Sequence, residues 1–277
     1  MKHGVITFML LAAIFLAQPE AFARVSARSA ILINMDTGKV LYEKNADQPI
    51  PPASLTKIMT MFLALDMVSA KKMRLNQKIA VRKSAASVGG SSMKLLAGEK
   101  VPLIRLLSGM AVVSGNDAAT AVAEGIAGSG QKFVDSMNRK ARQLGLSRTR
   151  FKNPTGLPAP GQKTTARDMM KLCRAYLKQH PEAMRFHNIT QFAHKGAVLR
   201  NTNALLGVVP GVDGLKTGWT VASGYNLVVT AKRGKTRLLG VILGANTKEA
   251  RSRSARELVE AGFKYPTKPS SARLALK

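Results

Sequence analysis

Ser54-Leu55-Thr56-Lys57 places a hydroxyl and an amine three residues apart. On a helix this spacing puts both on one face, one turn apart. A serine hydroxyl is a poor nucleophile without a base. Lysine becomes a base when burial lowers its pKa and leaves it neutral. A helix N-terminus also favours negative charge developing on the serine side. The four residues alone are a common pattern, and an isolated Ser54 reads equally as a helix N-cap.

Ser114-Gly115-Asn116 is the second element. Ser114 has the chemistry to pass a proton between Lys57 and a leaving amine. Asn116 offers an amide that both donates to and accepts from a substrate peptide bond. Lys216-Thr217-Gly218 is the third, after the turn Gly211-Val212-Asp213-Gly214 and before a predicted strand. A lysine cation and a threonine hydroxyl can hold a carboxylate. Gly218 carries no side chain, so a substrate can lie along the strand as an added edge. Each element alone also reads as an ordinary loop or strand entry. In this order, S-x-x-K, S-D-N and K-T-G together mark class A β-lactamases and penicillin-binding proteins; the middle element here is S-G-N.

These residues need elements to hold them. Residues 30–34 and 40–42 read as a hairpin around Asp36-Thr37-Gly38-Lys39. Pro51-Pro52-Ala53 breaks the chain before a helix over 54–69, apolar on every face and therefore buried. Residues 71–100 read as short, polar and irregular. Pro102 fits the first turn of a helix carrying Leu103, Leu106, Leu107 and Met110. Residues 114–117 interrupt it, and Asn116 or Asp117 is the expected cap of a helix reaching 127. Residues 131–144 form a basic amphipathic helix, 153–158 a loop, and 165–179 another helix. Strands follow at 227–230 and 238–243, with the turn between them over 232–235. Asn246 with Glu249 reads as the capping box of a last helix ending near Phe263. Strands at both ends and helices between imply one antiparallel sheet with a helical insertion beside it.

The chain resembles the low-molecular-mass penicillin-binding proteins, the serine D-Ala-D-Ala carboxypeptidases of the S11 peptidase class. The resemblance runs over roughly residues 28–264. It includes Gly90-Ser91-Ser92-Met93, Phe151-Lys152-Asn153-Pro154-Thr155-Gly156-Leu157, Thr165-Ala166-Arg167-Asp168 and Asp213-Gly214-Leu215 ahead of the third motif. It implies an α/β fold of the serine β-lactamase and D,D-peptidase type: a five-stranded antiparallel sheet flanked by helices, with a helical subdomain. It implies removal of the terminal D-Ala from peptidoglycan stem peptides through an acyl-enzyme on Ser54, blocked by β-lactams and needing no cofactor. The implied catalytic residues are Ser54, Lys57 and Ser114; the implied substrate-binding residues are Asn116, Lys216, Thr217, Gly218 and Trp219. Backbone N–H groups of Ser54 and Trp219 are the implied oxyanion donors. Cleavage of crosslinks by a D,D-endopeptidase is the alternative. Many relatives have a histidine before the T-A-R-D stretch, where this chain has Gln162-Lys163-Thr164. Many also carry a C-terminal β-domain and a membrane anchor, where this chain has a loose basic tail over 265–277.

The remaining composition bounds the function. Lys2 and His3, an apolar run from Val5 to Ala17 and Ala21-Phe22-Ala23 read as a secretory signal cleaved near Ala23. The expected organisation is a signal over 1–23, a catalytic domain over 24–264 and the tail, in a periplasmic protein. The net charge is +28, and the excised piece holds one Lys and one Glu, so the exported chain keeps it. Such charge favours a polyanion partner. Export and the lack of an aromatic RNA-binding motif argue against nucleic acid. Peripheral electrostatic association with wall or membrane, by an enzyme or by a non-catalytic basic binding protein, remains. No glutamate in an E-x-x-L-N setting lies between Asn116 and Lys216, which argues against a β-lactamase. Cys173 stands alone and reads as a buried, inert thiol. No H-E-x-x-H occurs, and His180, His187 and His194 read as single exposed histidines.

Overall fold

The computed structural model describes residues 25–265. The expected signal segment and nearly all of the basic tail lie outside the described residues. In chain order the elements are β1 (Ser29–Asn34), β2 (Val40–Lys44), a 3-10 turn (Ala53–Thr56), α1 (Lys57–Ser69), β3 (Lys78–Ala80), α2 (Lys83–Ala86), β4 (Lys100–Pro102) and α3 (Leu103–Val112). There follow α4 (Asn116–Ala127), α5 (Gly130–Gln143), α6 (Ala166–Gln179), a 3-10 turn (Pro181–Ala183), α7 (Met184–His187), β5 (Gln191–His194) and β6 (Ala197–Arg200). The chain closes with β7 (Val212–Thr220), β8 (Gly224–Arg233), β9 (Thr236–Ala245) and α8 (Lys248–Lys264).

The main sheet has five strands in the order β2-β1-β9-β8-β7. Every pairing in it is antiparallel. Both ends of the chain build it, and the helical insertion lies between them, as the sequence implies. Side chains alternate across the pleat, so each strand feeds two cores. Ile31 and Ile33 face one side with Val228 and Val241, against the helices α1, α3, α4 and α6. Ala30 and Leu32 face the other with Val229 and Ile242, against Leu258 and Val259 of α8. In α1, Ile58, Met59, Met61 and Phe62 are fully buried. Each such side chain contributes about 1.5–3 kcal/mol by leaving water. Cys173 is also fully buried, and burial pushes its thiol pKa up.

Several expectations need correction. Residues 71–100 contain regular structure, because β3 and β4 pair with Ile79 and Val101 turned inward. Pro102 ends β4 and caps α3 instead of lying inside it. Gly115 occupies the cap position of α4, since the Asp117 carboxylate is engaged by the backbone N–H groups of Met93 and Leu95. The cap of α8 is Thr247, whose hydroxyl accepts from Ala250 N at 3.0 Å, so Asn246 lies one residue outside. Lys216-Thr217-Gly218 lies within β7, not ahead of a strand.

The histidines are also buried, not exposed. His180 lies 2.8 Å from an Asp66 carboxylate oxygen and 3.2 Å from Glu182. His187 stands between Tyr176 Oη at 3.1 Å and Leu215 O at 3.0 Å. Enclosure drives its pKa down to about 3, so this imidazole is neutral at ordinary pH. It braces β7 one residue before Lys216.

Candidate active site

Pro51 and Pro52 stop any regular structure, and the chain enters the 3-10 turn with Ala53 at a φ of 48°. Ser54 lies in that turn, ahead of α1, while Lys57 is the first residue of α1. The sequence expectation of one continuous helix from Ser54 is therefore off by a tight turn. Ser54 is half-buried; Lys57 is completely buried. The nucleophile candidate is reachable and its neighbour is not.

Lys57 Nζ has three partners. Ser54 Oγ lies at 3.0 Å, Asn116 Oδ1 at 2.7 Å and the Thr155 carbonyl at 2.8 Å. The last two atoms can only accept. The serine contact is the one that can reverse. As an ammonium, Lys57 donates to all three. As a neutral amine it donates to Asn116 and Thr155, and its lone pair faces the serine hydroxyl hydrogen. Burial lowers the Lys57 pKa well below its ordinary value, the Lys216 charge lowers it further, and Asp117 opposes both. The shift is toward the neutral amine, whose lone pair would face Ser54.

Thr155 is a partner that residue types could not reveal, because it acts through its carbonyl. Asn153 builds the loop: its Oδ1 accepts from Gly156 N at 2.7 Å and from Thr155 Oγ1 at 2.9 Å. Gly156 has a φ of 85°, and a Cβ there would stand 1.8 Å from Ala53 O. Only glycine lets this loop press against the serine turn.

Asn116 is held by its own second bond, Nδ2 to Gly89 O at 2.6 Å. One Nδ2 hydrogen remains for another acceptor. Ser114 has a left-handed backbone with φ of 63°. Its hydroxyl is buried and makes no hydrogen bond, to Lys57 or to any other described residue. A buried hydroxyl without a partner is destabilising.

The third motif approaches from β7, an edge strand of the main sheet. A Cβ on Gly218 would lie 3.0 Å from Ser54 N, so glycine permits the close approach of strand and turn. Lys216 is buried, with Nζ donating to Thr217 O at 2.9 Å. Burial and the nearby charge of Arg251 push its pKa down to about 7. Thr217 Oγ1 and Thr202 Oγ1 are 2.6 Å apart. Trp219 is half exposed, beside Tyr225 with ring centroids 5.8 Å apart.

Arg251 of α8 is the residue the sequence reading missed. It is 4% exposed, and its Nε and Nη2 have no partner. A buried guanidinium with open donors is costly, although the Glu249 charge offsets part of that cost. Its position in a basic helix hid it among many surface cations.

The fold, an antiparallel sheet flanked by helices with an S-x-x-K turn against its edge strand, places the molecule among the penicillin-binding serine peptidases. The peptidase S11 model, described as D-alanyl-D-alanine carboxypeptidase, matches residues 15–247. The chain belongs to that family. It is 40% identical to D-alanyl-D-alanine carboxypeptidase DacC of Escherichia coli over 278 residues, covering 93% of this chain and 70% of that one. It is 38% identical to DacF of Bacillus subtilis over 291 residues, covering 97% and 73% respectively. Penicillin-binding protein D2 of Listeria monocytogenes in its ampicillin-bound form superposes with a TM-score of 0.79 at 34% identity, covering 86% of this chain and 98% of that one. Among the described residues, no helix is long and apolar enough to cross a membrane.

Proposed function

We propose that the protein is a serine D,D-carboxypeptidase that removes the terminal D-Ala from peptidoglycan stem peptides. The observation that carries this reading is the buried Lys57 amine, 3.0 Å from the reachable Ser54 hydroxyl. In the first step Ser54 Oγ attacks the carbonyl of the penultimate D-Ala while Lys57 takes the hydroxyl proton. The backbone N–H groups of Ser54 and Trp219 stabilise the oxyanion. The C–N bond then breaks, and Ser114 passes the proton from Lys57 to the departing D-Ala amine. Water enters, Lys57 accepts its proton, and attack on the ester releases the shortened peptide and restores Ser54.

Asn116 Nδ2 holds the substrate backbone, and Gly218 and Trp219 border the strip along β7 where the peptide lies. Lys216 and Thr217 bind the terminal carboxylate, with the unpartnered Arg251 guanidinium contributing charge. A β-lactam follows the same first step and remains as an ester; the Listeria relative has a structure in an ampicillin-bound form. The site lies in an exported, periplasmic chain.

Incubation with penicillin followed by peptide mapping tests this reading. The expected result is a stoichiometric adduct on the peptide containing Ser54. An adduct on another serine, or none on the folded protein, overturns it.

A further inference from the structure

One face of the molecule gathers exposed cations that have no carboxylate partner. Among the described residues, ion pairs engage Lys140 with Asp66, Lys195 with Glu99, Arg233 with Glu260 and Arg237 with Asp213, while other exposed cations, Lys232, Lys235 and Arg253 among them, form none. The outer stripe of α5 presents Lys132, Arg139 and Arg142 at helical spacing. Segment 150–152 lies against this helix, because Asn138 Oδ1 accepts from Phe151 N at 2.9 Å and Asn138 Nδ2 donates to Phe151 O at 2.9 Å. That clasp brings Arg150 and Lys152 beside the stripe. Arg150 and Lys163 in turn exchange backbone hydrogen bonds of 2.9 and 3.1 Å.

All of these cations are exposed. None has a carboxylate partner among the described residues. The acid within the stripe is Asp135, which accepts from Gln131 at 3.0 Å. At the margin Arg148 and Lys171 reach toward Asp47, which Arg167 already holds at 3.0 Å. Like charges held close repel one another, and a polyanion relieves that repulsion.

The position of the face relates it to the site. Lys152 immediately precedes Asn153, which shapes the loop whose Thr155 carbonyl holds Lys57 at 2.8 Å. The strip therefore runs up to the wall of the cleft. The exposed large apolar residues are Leu96, Val198, Val208, Trp219 and Val221, none of them on this face. A membrane-seated surface would combine basic and apolar groups. A purely cationic strip fits a linear, hydrated polyanion.

We propose that this face is a docking track for uncrosslinked peptidoglycan strands, whose stem peptides carry free carboxylates at each repeat. It holds one part of the polymer while another part enters the cleft. The inference rests on the D,D-peptidase reading of the site.

The test compares two variants of equal net charge. One carries Arg139→Glu, Arg142→Glu, Arg150→Glu and Lys163→Glu. The other carries Lys232→Glu, Lys235→Glu, Lys248→Glu and Arg253→Glu, on exposed positions elsewhere. Binding to purified sacculi is read by sedimentation at 0.1 M salt, and acylation by fluorescent penicillin. The first variant should lose sacculus affinity at least tenfold and the second less than threefold, with acylation of both within twofold of the parent. Equal losses, or none, overturn the proposal. So does loss of binding when phosphate-bearing polymers are stripped from the sacculi, or equal face-dependent binding to anionic vesicles. Should the fourfold variant fail to label, the pairs Arg139→Glu with Arg142→Glu and Arg150→Glu with Lys163→Glu carry the same comparison. A parent protein that binds sacculi but is not acylated would sink the enzymatic reading and leave the docking face standing.

Discussion

Lys57 Nζ and Ser54 Oγ stand 3.0 Å apart, yet the lysine is fully buried and the serine is not. The difference separates the two tasks of the pair. Burial shifts the Lys57 amine toward its neutral form, the form a proposed base needs. Ser54, the proposed nucleophile, stays half-buried and reachable. Asn116 and Thr155 accept both remaining N–H bonds of the neutral amine, so its lone pair points at the serine.

Replacing this base tests the arrangement. Lys57→Arg puts a guanidinium that remains protonated where a neutral amine is required. Acylation by penicillin should fall at least a hundredfold, in keeping with the usual loss of a general base. Stopped-flow labelling measures it. Acylation within tenfold of the parent would exclude Lys57 as the base.

Ser114 offers a separation of stability from activity. Its buried hydroxyl makes no hydrogen bond in the unliganded chain. Ser114→Ala removes an unsatisfied group, so the melting temperature should stay equal or rise by a few degrees. Turnover of a D-Ala-D-Ala peptide should nonetheless fall about ten- to a hundredfold, because the leaving amine loses its proton route. A loss of stability matching the loss of turnover would mark the serine as structural.

The two lysines predict a bell-shaped pH profile. Lys57 must be neutral, so acylation falls as pH drops through its depressed pKa. Lys216 must be charged to hold a carboxylate, and its pKa is pushed down to about 7 in the free protein. Measured as kcat/KM on a carboxylate-ended peptide, activity should therefore decline as pH rises above about 7. Lys216→Arg keeps its charge, and should move the alkaline limb up by more than one pH unit. An unchanged limb would remove Lys216 from carboxylate binding.

Arg251 should matter to binding and not to folding. Its guanidinium is 4% exposed with Nε and Nη2 unpartnered. Arg251→Met should leave thermal stability unchanged or raise it, since a buried charge with unpartnered donors is lost. KM for the free-carboxylate peptide should rise about tenfold or more, and an esterified peptide should show no such difference. Equal effects on both peptides would assign Arg251 a packing role.

His187 sets an acid limit on the fold. Its pKa is about 3 in the folded chain, against about 6.5 when exposed. The unfolded chain thus binds the extra proton first, and stability falls as pH drops through that window, by about 1.4 kcal/mol per unit at its steepest. His187→Gln carries no such proton and should flatten this part of the stability curve in urea unfolding at pH 4 and 6. A curve as steep as the parent's would place the acid sensitivity elsewhere.

What was legible in the sequence was local. Ser54 with Lys57, Ser114 with Asn116, and Lys216 with Thr217 and Gly218 each lie within a few residues, where side-chain type and spacing suffice. All-round apolarity marked α1, apolar periodicity marked α3, and turn residues marked the hairpins, because these follow from local composition and short-range sterics. The loop carbonyl of Thr155, the bracing of β7 by His187 and the unpaired guanidinium of Arg251 were not legible. A carbonyl belongs to every residue, and whether a histidine or arginine is enclosed depends on chain segments far away. Lys57 and Thr155 are 98 residues apart and meet at 2.8 Å only after the sheet and helices have packed. The same packing pushes the Lys57 pKa down, since a pKa follows the surrounding dielectric and charges, which no stretch of sequence carries by itself.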